Sequence, residues 1–355
     1  MRSCIEIGNK KLDDKSDPFC IAEVGINHNG DLNLAKKMIE IAKASGADAV
    51  KFQTFRANEV CSTREQLYSY KSQGVEIVES MLDMLQRCEL HAEEWLEIKN
   101  YCNQMGITFL STPQNNSDLN LLQSLGIEAI KVGSDDLTNL KLLKCYASSG
   151  LPIILSSGMA DLSDVNKALE AVGWFNGYRA AVLLCTSQYP AQPSELNISR
   201  ISTLKNAFPG LLVGFSDHTE GELAACLALA KGARIFEKHF TLDKGLKGPD
   251  HWFSANPAEL RRWIEAIKNS YEMLGYPEFI PSSSEYEMRK IARRSLVAVE
   301  KILKGDILTE DNLGMRRPGT GLTSEWFDRI IGLRASRDIN IGELIDFGDA
   351  SKHIE

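Results

Sequence analysis

An α/β fold, a (β/α)8 barrel over residues 1–275 followed by a small β-rich module, is what the sequence predicts, and three observations predict it. Short apolar runs alternate with helix-patterned segments eight times within about 250 residues. Almost every apolar run ends in lysine, serine, threonine, glutamate or histidine, the polar rim that strand ends of a barrel carry. Dinucleotide and nucleotide fingerprints are missing, with no GxGxxG and no GxxxxGK[ST], which disfavours the competing doubly wound open sheet.

The first run ends at Glu23, inside the stretch IAEVGINHNG (21–30), and a helix pattern occupies 32–45. Strand two is expected over 47–54 (ADAVKFQT), then a long polar loop over 56–74 and helices over 76–88 and 92–105. Strand three (107–111) precedes a helix over 116–125, and strand four (129–132) one over 139–148. Strand five (152–155) and helix 163–172 follow, then strand six (180–185) and helix 199–207. Strand seven (211–215), helix 221–231, strand eight (234–238) and helix 257–274 complete eight repeats. Beyond Leu274 the stretch YPEFIPSSS begins a linker over 276–293. In the module at 294–355, Ile302-x-x-Gly305-Asp306-x-Leu308 returns as Ile339-x-x-Gly342-Glu343-x-Ile345, which predicts paired turn-bounded strands with internal pseudo-symmetry.

Composition narrows the class. The 355 residues are 43% hydrophobic and 25% charged, ordinary for a globular protein. A net charge of −8 without a basic stripe speaks against nucleic acid. There is no apolar run long enough to span a bilayer and the first residues are too polar for a signal peptide, so no membrane partner and a cytoplasmic location are expected. The eight cysteines form no CxxC pair and read as reduced thiols, buried or incidental.

Side chains alternate along a strand, so the strand ends can be sorted by parity. Lys51 shares a face with Gln53, Thr112 with Leu110, Ser216 with His218, and Glu237 with His239, which turns Lys238 outward. His218 and His239 fall at matching heights on neighbouring strands, a spacing that suits one divalent ion or, as readily, a hydrogen-bonded pair. Lys51 and Lys131 end apolar strands, where a buried cation needs an anion. With the hydroxyls of Thr112, Ser134, Ser156, Ser187 and Ser216 they outline an anion site. Glu23 is the candidate proton-transfer group, or else a salt-bridge partner of one lysine. His28 and His251 read as loop histidines in structural or substrate contacts, and Asn27 has no assigned contact.

In order along the chain, IAEVGINHNG, AVKFQTF, FLSTP, IKVGSDDLTN, PIILSSGM, LCTSQYPA, VGFSDHT, EKHFTLD and GPDH closely resemble the sialic acid synthase family. RRPGTG in the C-terminal module resembles the antifreeze-like (SAF) domain of those enzymes. The resemblance implies a transferase that condenses phosphoenolpyruvate with an N-acylated amino-hexose and water. The products are a nine-carbon keto sugar and phosphate, released by C–O cleavage. It implies a divalent metal, manganese in most members with magnesium or cobalt as alternatives, on His218 and His239. Catalytic roles fall on Glu23, Lys51 and Lys131. Phosphoenolpyruvate contacts fall on Lys51, Thr112, Lys131, Ser134, Ser156, Ser187 and Ser216, and acceptor-sugar contacts on Gln53, Tyr189, Asp250 and Arg317. Arg317 would enter the site of a second subunit, which makes the expected assembly a domain-swapped homodimer. The chain departs from the family at Asp135-Asp136, where many members read Gly-Glu, and at Ser187, where some bacterial members carry asparagine.

The acceptor stays open among N-acetylmannosamine, its 6-phosphate and diacetamido-trideoxy hexoses; GPDHWFS leans away from a pseudaminic acid synthase. Two other classes compete: a Schiff-base aldolase on Lys51 or Lys131, and a non-catalytic glycan-binding protein.

Overall fold

The apolar runs pair in parallel and close on themselves: β1 (Phe19–Gly25), β2 (Ala49–Thr54), β3 (Thr108–Pro113), β4 (Ile130–Val132), β5 (Ile153–Ser156), β6 (Ala180–Cys185), β7 (Leu212–Asp217) and β8 (Ile235–His239). They follow one another around the barrel, and β8 pairs back onto β1 with His239 opposite Glu23. This computed structural model describes residues 4–352. Contacts divide the chain into two units, Met1–Gly275 and Tyr276–Glu355.

Strand alternation sorts the barrel interior into layers. Its lower half is apolar, with Phe19, Ile21, Ala49, Leu110, Ala129, Ile154, Ala181, Leu183, Leu212 and Ile235 in one cluster. A hairpin that the sequence reading missed, Ile5–Ile7 with Lys10–Leu12, adds Ile5, Ile7 and Leu12 to the same cluster. Gly214 belongs to the inward row of β7, where a Cβ would lie 2.3 Å from the Ile235 carbonyl oxygen and 2.4 Å from Leu183. No side chain fits there. One residue higher in each inward row the chemistry changes to Glu23, Lys51, Lys131, Ser156, Ser216 and Glu237, all buried.

Outside the strands, helices cover the wall and begin at side-chain caps: Asp31 accepts from the Asn33 and Leu34 amides, and Asn256 caps Pro257–Leu274 with proline in the first turn. Lys238 does turn outward. Its Nζ lies 3.0 Å from Asp217 Oδ2 and donates to the Thr219 carbonyl at 2.6 Å, while Trp263 Nε1 donates to the same Asp217 oxygen at 2.8 Å. This buried ion pair ties the end of β7 to the end of β8.

The expected loop over 56–74 and the first turns of the helix expected over 76–88 are instead a short helix (Ala57–Val60) and an antiparallel hairpin of Leu67–Ser72 with Val75–Ser80. The helix is confined to Met81–Cys88. Gln73-Gly74, both at positive φ, make the turn, and β-branched Val75, Ile77 and Val78 favour the strand. All eight cysteines are free. No helix among the described residues is long and apolar enough to cross a membrane.

In the second unit, part of the expected linker is helical, Ser283–Ala292, capped by Ser282. The internal echo is a structural repeat. Ile302 and Ile339 exchange backbone hydrogen bonds of 3.0 and 2.8 Å. Gly305 donates to the Ala335 carbonyl as Gly342 does to that of Ala298, and Ala335 donates to Asp306 as Ala298 does to Glu343. Both glycines sit at positive φ, 97° and 86°, which is why the repeat retains glycine. Ile302, Leu308, Ile339 and Ile345 fill one core with Leu296, Ala298 and Ala335.

Two predictions follow from this packing. Lys238→Met leaves Asp217 buried without its cation, and urea unfolding should show a loss of about 3–5 kcal/mol. The second concerns His28, whose ring is fully buried against Phe52 and Trp95 and whose pKa burial pushes down to about 4. The folded chain therefore binds this proton more weakly than the unfolded chain, so the stability is present above the unfolded value near 6.5 and is lost as pH falls toward 4. Between pH 7 and pH 5, wild type should lose about 2 kcal/mol more than His28→Gln in paired urea titrations.

Candidate active site

Above the apolar layers the barrel opens into a cavity of about 870 Å³. The barrel residues singled out from sequence meet there: Glu23, Lys51, Gln53, Thr112, Lys131, Ser134, Ser156, Ser187, Tyr189, Ser216, His218, His239 and Asp250 all line it. Arg317 belongs to the second unit, where its Nε donates to the Ala292 carbonyl at 2.9 Å. Asn27 and His28 do not line the cavity. Asn27 Nδ2 donates to the Phe240 carbonyl at 2.9 Å and to Ser254 Oγ at 3.0 Å, a brace between the loops after β1 and β8. His251 braces the same region through Thr241 Oγ1 (2.6 Å) and Asn29 Nδ2 (3.1 Å).

The floor is a chain of four buried charges. Lys51 Nζ lies 3.0 Å from Glu23 Oε1 and 3.7 Å from Glu237 Oε2, and Lys131 Nζ lies 3.5 Å from Glu237 Oε1. Neighbouring groups add hydrogen bonds: Lys51 donates to Thr112 Oγ1 at 3.1 Å, Lys131 to Ser156 Oγ at 2.7 Å, Ser216 to Glu237 Oε1 at 3.1 Å and Gln53 to Glu23 Oε1 at 3.3 Å, while Oε2 of each glutamate has no hydrogen-bond partner. Glu237 is the residue that sequence reasoning missed. Parity turned it inward beside His239, but nothing in the sequence said that it would meet lysines from β2 and β4 across the barrel interior.

Environment separates the two acids. Burial pushes the Glu23 carboxyl up against the pull of Lys51, and Oε2 has no hydrogen-bond partner. Burial would raise Glu237 as well, but Lys131 and Lys51 together hold it below the usual carboxylate range. The lysines split in the same way. Burial lowers Lys131, whereas at Lys51 the Glu23 and Glu237 carboxylates overcome burial and raise it. Glu23 is thus the floor group that can carry a proton, and the lysines form a basic pair short of full neutralisation wherever Glu23 is protonated.

At one side the glycine after β5 admits hydroxyls. A Cβ on Gly158 would stand 2.2 Å from Ser187 Oγ and 2.6 Å from Ser134 Oγ, and the Gly158 amide donates to Ser134 Oγ at 3.0 Å. At the other side stand the two imidazoles, ring centres 5.5 Å apart. Tyr189 lies over His218 at 4.2 Å, and Phe253 stands edge-on to His239 at 5.2 Å. Burial holds His239 well below its ordinary pKa, and its buried Nδ1 has no hydrogen-bond partner, with Asp250 Oδ2 3.9 Å away. His218 Nδ1 is 2.7 Å from the Thr186 carbonyl, which keeps the proton on that nitrogen and leaves Nε2, 3.5 Å from Ser216 Oγ, with its lone pair. Among the described residues no group of three or more His, Cys, Asp or Glu side chains could enclose a metal ion. The donor set that does exist, two imidazoles with one orphaned nitrogen, fits a cation that shares its remaining positions with substrate or water. Burial, with Glu23 nearby, pushes the Asp250 carboxyl up to about 7. Cys185, read only as a buried thiol, also lines the cavity, with Sγ 4.0 Å from His218 Nδ1.

Comparison with known proteins identifies relatives of the chain. An N,N'-diacetyllegionaminic acid synthase of Campylobacter jejuni is 41% identical, over 92% of this chain and 98% of its own length. Human N-acetylneuraminate-9-phosphate synthase is 34% identical, over 84% of this chain and 82% of its own. The crystal structure of an N-acetylneuraminic acid synthetase from Leptospira borgpetersenii superposes with a TM-score of 0.73 at 34% identity, covering 81% of this chain and 95% of that one. Residues 38–278 match the NeuB family and residues 293–350 the SAF domain. With sequence motifs, barrel topology and these relatives in accord, the chain is an enzyme that belongs to the NeuB family, that of the sialic acid synthases, and carries a SAF domain.

Proposed function

We propose that the chain condenses phosphoenolpyruvate with an N-acylated amino-hexose and water, giving a nine-carbon sialic-acid-type keto sugar and phosphate. The observation that carries this reading is the cavity floor, where two buried lysines and a ring of hydroxyls stand beside a carboxyl that burial keeps protonatable. Phosphoenolpyruvate brings two anionic groups, and Lys51, Lys131, Thr112, Ser134, Ser156, Ser187 and Ser216 are the donors that would hold them. Helix and strand ends fix these donors in advance, so little reorganisation accompanies binding.

Gln53 and Lys51 clamp Glu23 Oε1, while the buried Oε2 has no hydrogen-bond partner of its own. Glu23 is the group we assign to moving the proton as C3 of phosphoenolpyruvate joins the acceptor aldehyde and water adds at C2. Loss of phosphate from the resulting tetrahedral centre breaks the C2–O bond. Tyr189 and Asp250 flank the acceptor. His218 and His239 would hold a divalent ion, manganese or in its place magnesium or cobalt, which supplies Lewis-acid polarisation of the aldehyde oxygen.

The assembly we propose is a domain-swapped homodimer in which Arg317 completes the site of the partner subunit. Tyr276, Phe279, Ile280, Met288 and Ile291 of the second unit are exposed, and Phe279 is wholly uncovered. Such an apolar run on a short segment favours burial against another chain.

Two measurements test this. Phosphate released from phosphoenolpyruvate should require an amino-sugar acceptor and a divalent ion, and His218→Ala and His239→Ala should each cut it about 100-fold or more while weakening manganese binding in calorimetry. Full turnover in excess chelator, with borohydride trapping of pyruvate on a lysine, would support the aldolase instead. For the shared site, Glu23→Gln and Arg317→Ala should each be inactive, and co-refolded mixtures should recover about a quarter of wild-type activity, since half the dimers carry one intact site. Mixtures as inactive as the parents would refute the exchange.

A further inference from the structure

The two imidazoles at the cavity are held in different ways. His218 has a hydrogen bond to fix its rotation, Nδ1 lying 2.7 Å from the Thr186 carbonyl, and Tyr189 covers its face with ring centres 4.2 Å apart. His239 has no such bond. Its buried Nδ1 has no hydrogen-bond partner, and the carboxylate nearest to it, Asp250 Oδ2, stands 3.9 Å away, too far for one. A histidine that binds a metal almost always gives its second ring nitrogen to a carboxylate, a carbonyl or water, and that bond sets the ring's rotation. At His239 the task falls to packing.

Three rings stand around His239. Phe253 meets it edge-on at 5.2 Å and 70°, Tyr189 at 5.6 Å and 88°, and His218 at 5.5 Å and 61°. Tyr189 also covers His218, and His218 is the other donor. Phe253 is the remaining ring, and it packs on Tyr189 at 4.7 Å as well as on His239.

The loop after β8 is built to deliver Phe253 to that place. The Ala255 amide donates to the His239 carbonyl at 2.8 Å and the Thr241 amide to the Ala255 carbonyl at 2.9 Å, so the chain returns alongside the strand end it left. Just before this return, the Ser254 amide donates to the Asp250 carbonyl at 3.3 Å, closing a single turn from which Asp250 and Phe253 both face His239. Asn27 Nδ2 reaches Ser254 Oγ at 3.0 Å, and Thr241 Oγ1 is 2.6 Å from His251 Nδ1. The ring of Phe253 is thus carried on braced backbone.

We propose that Phe253 is a positioning residue, whose ring edge holds the His239 imidazole at the rotation a divalent ion needs, in place of the missing hydrogen bond. The inference rests on the divalent-ion reading proposed above and deepens it. Without that edge the imidazole is free to turn, and the pair of donors is no longer set before the ion arrives.

Manganese affinity of the metal-free, full-length chain, measured by calorimetry, tests this without turnover. Phe253→Ala should weaken binding about tenfold, the lower end for a metal-ligating histidine that loses its support. Phe253→Tyr keeps the ring edge and should bind as wild type does. Nitrogen-15 spectra of the metal-free chain should show a sharp His239 ring in wild type and Phe253→Tyr, and an exchange-broadened one in Phe253→Ala. Phosphoenolpyruvate binding to the metal-free chain should be the same in all three, because the floor lysines are untouched. Unchanged manganese affinity in Phe253→Ala, whether or not the acceptor KM rises, would overturn the proposal and leave the condensation standing. Equal weakening of manganese and phosphoenolpyruvate would overturn it too, as a loosening of the whole mouth. Manganese binding that survives both His218→Ala and His239→Ala would remove the divalent-ion reading and this inference with it.

Discussion

Everything at the mouth of this barrel depends on the array of Glu23, Lys51, Glu237 and Lys131. Four ionisable groups from β1, β2, β8 and β4 are buried within ion-pair reach of one another. Burying any one of them alone would cost several kcal/mol, and together they satisfy one another only while the strands hold their register. The array is thus a poor source of stability and a strict condition on geometry. Its imbalance is what makes it useful: two lysines hold Glu237 below the usual carboxylate range, while burial pushes Glu23 above it.

The remainder of the first unit supports that register. From below, the apolar layers and the Ile5–Leu12 hairpin exclude water, and at Gly214 the strands approach too closely for a side chain. From outside, Asp217 and Lys238 bridge the strands that carry His218 and His239, and Trp263 anchors the aspartate. The two imidazoles are consequently fixed by the residues immediately before them. Loops beyond the strand ends are tied by Asn27, Asn29 and His251, so that the cavity rim on the side of β1 and β8 is built of interlocked turns. The large excursion after β2 folds around its own small core, which Ile26 joins, and is tied to the loop after β8 through Gln73 and Ser72.

The second unit follows a different logic. Its two halves exchange backbone hydrogen bonds through equivalent residues, so a short sequence motif used twice closes one core. A module of this size buries little apolar area, and duplicating one compact turn with glycine at positive φ lets both halves share what there is.

Periodicity and polar strand ends were enough to determine, from sequence, eight βα repeats, the inward row of Lys51, Gln53, Thr112, Ser216, His218 and His239, and the outward turn of Lys238, because alternation along a strand is a local rule. Motifs recognised as those of the sialic acid synthases determined the family. Only the tertiary structure decided what those residues meet. Glu237 acquires its role from lysines far away in sequence, Asn27 becomes a brace between two loops, and His28 packs against Phe52 and Trp95. Parity tells which way a side chain points. Barrel closure, which brings β8 beside β1, decides which charge lies opposite it.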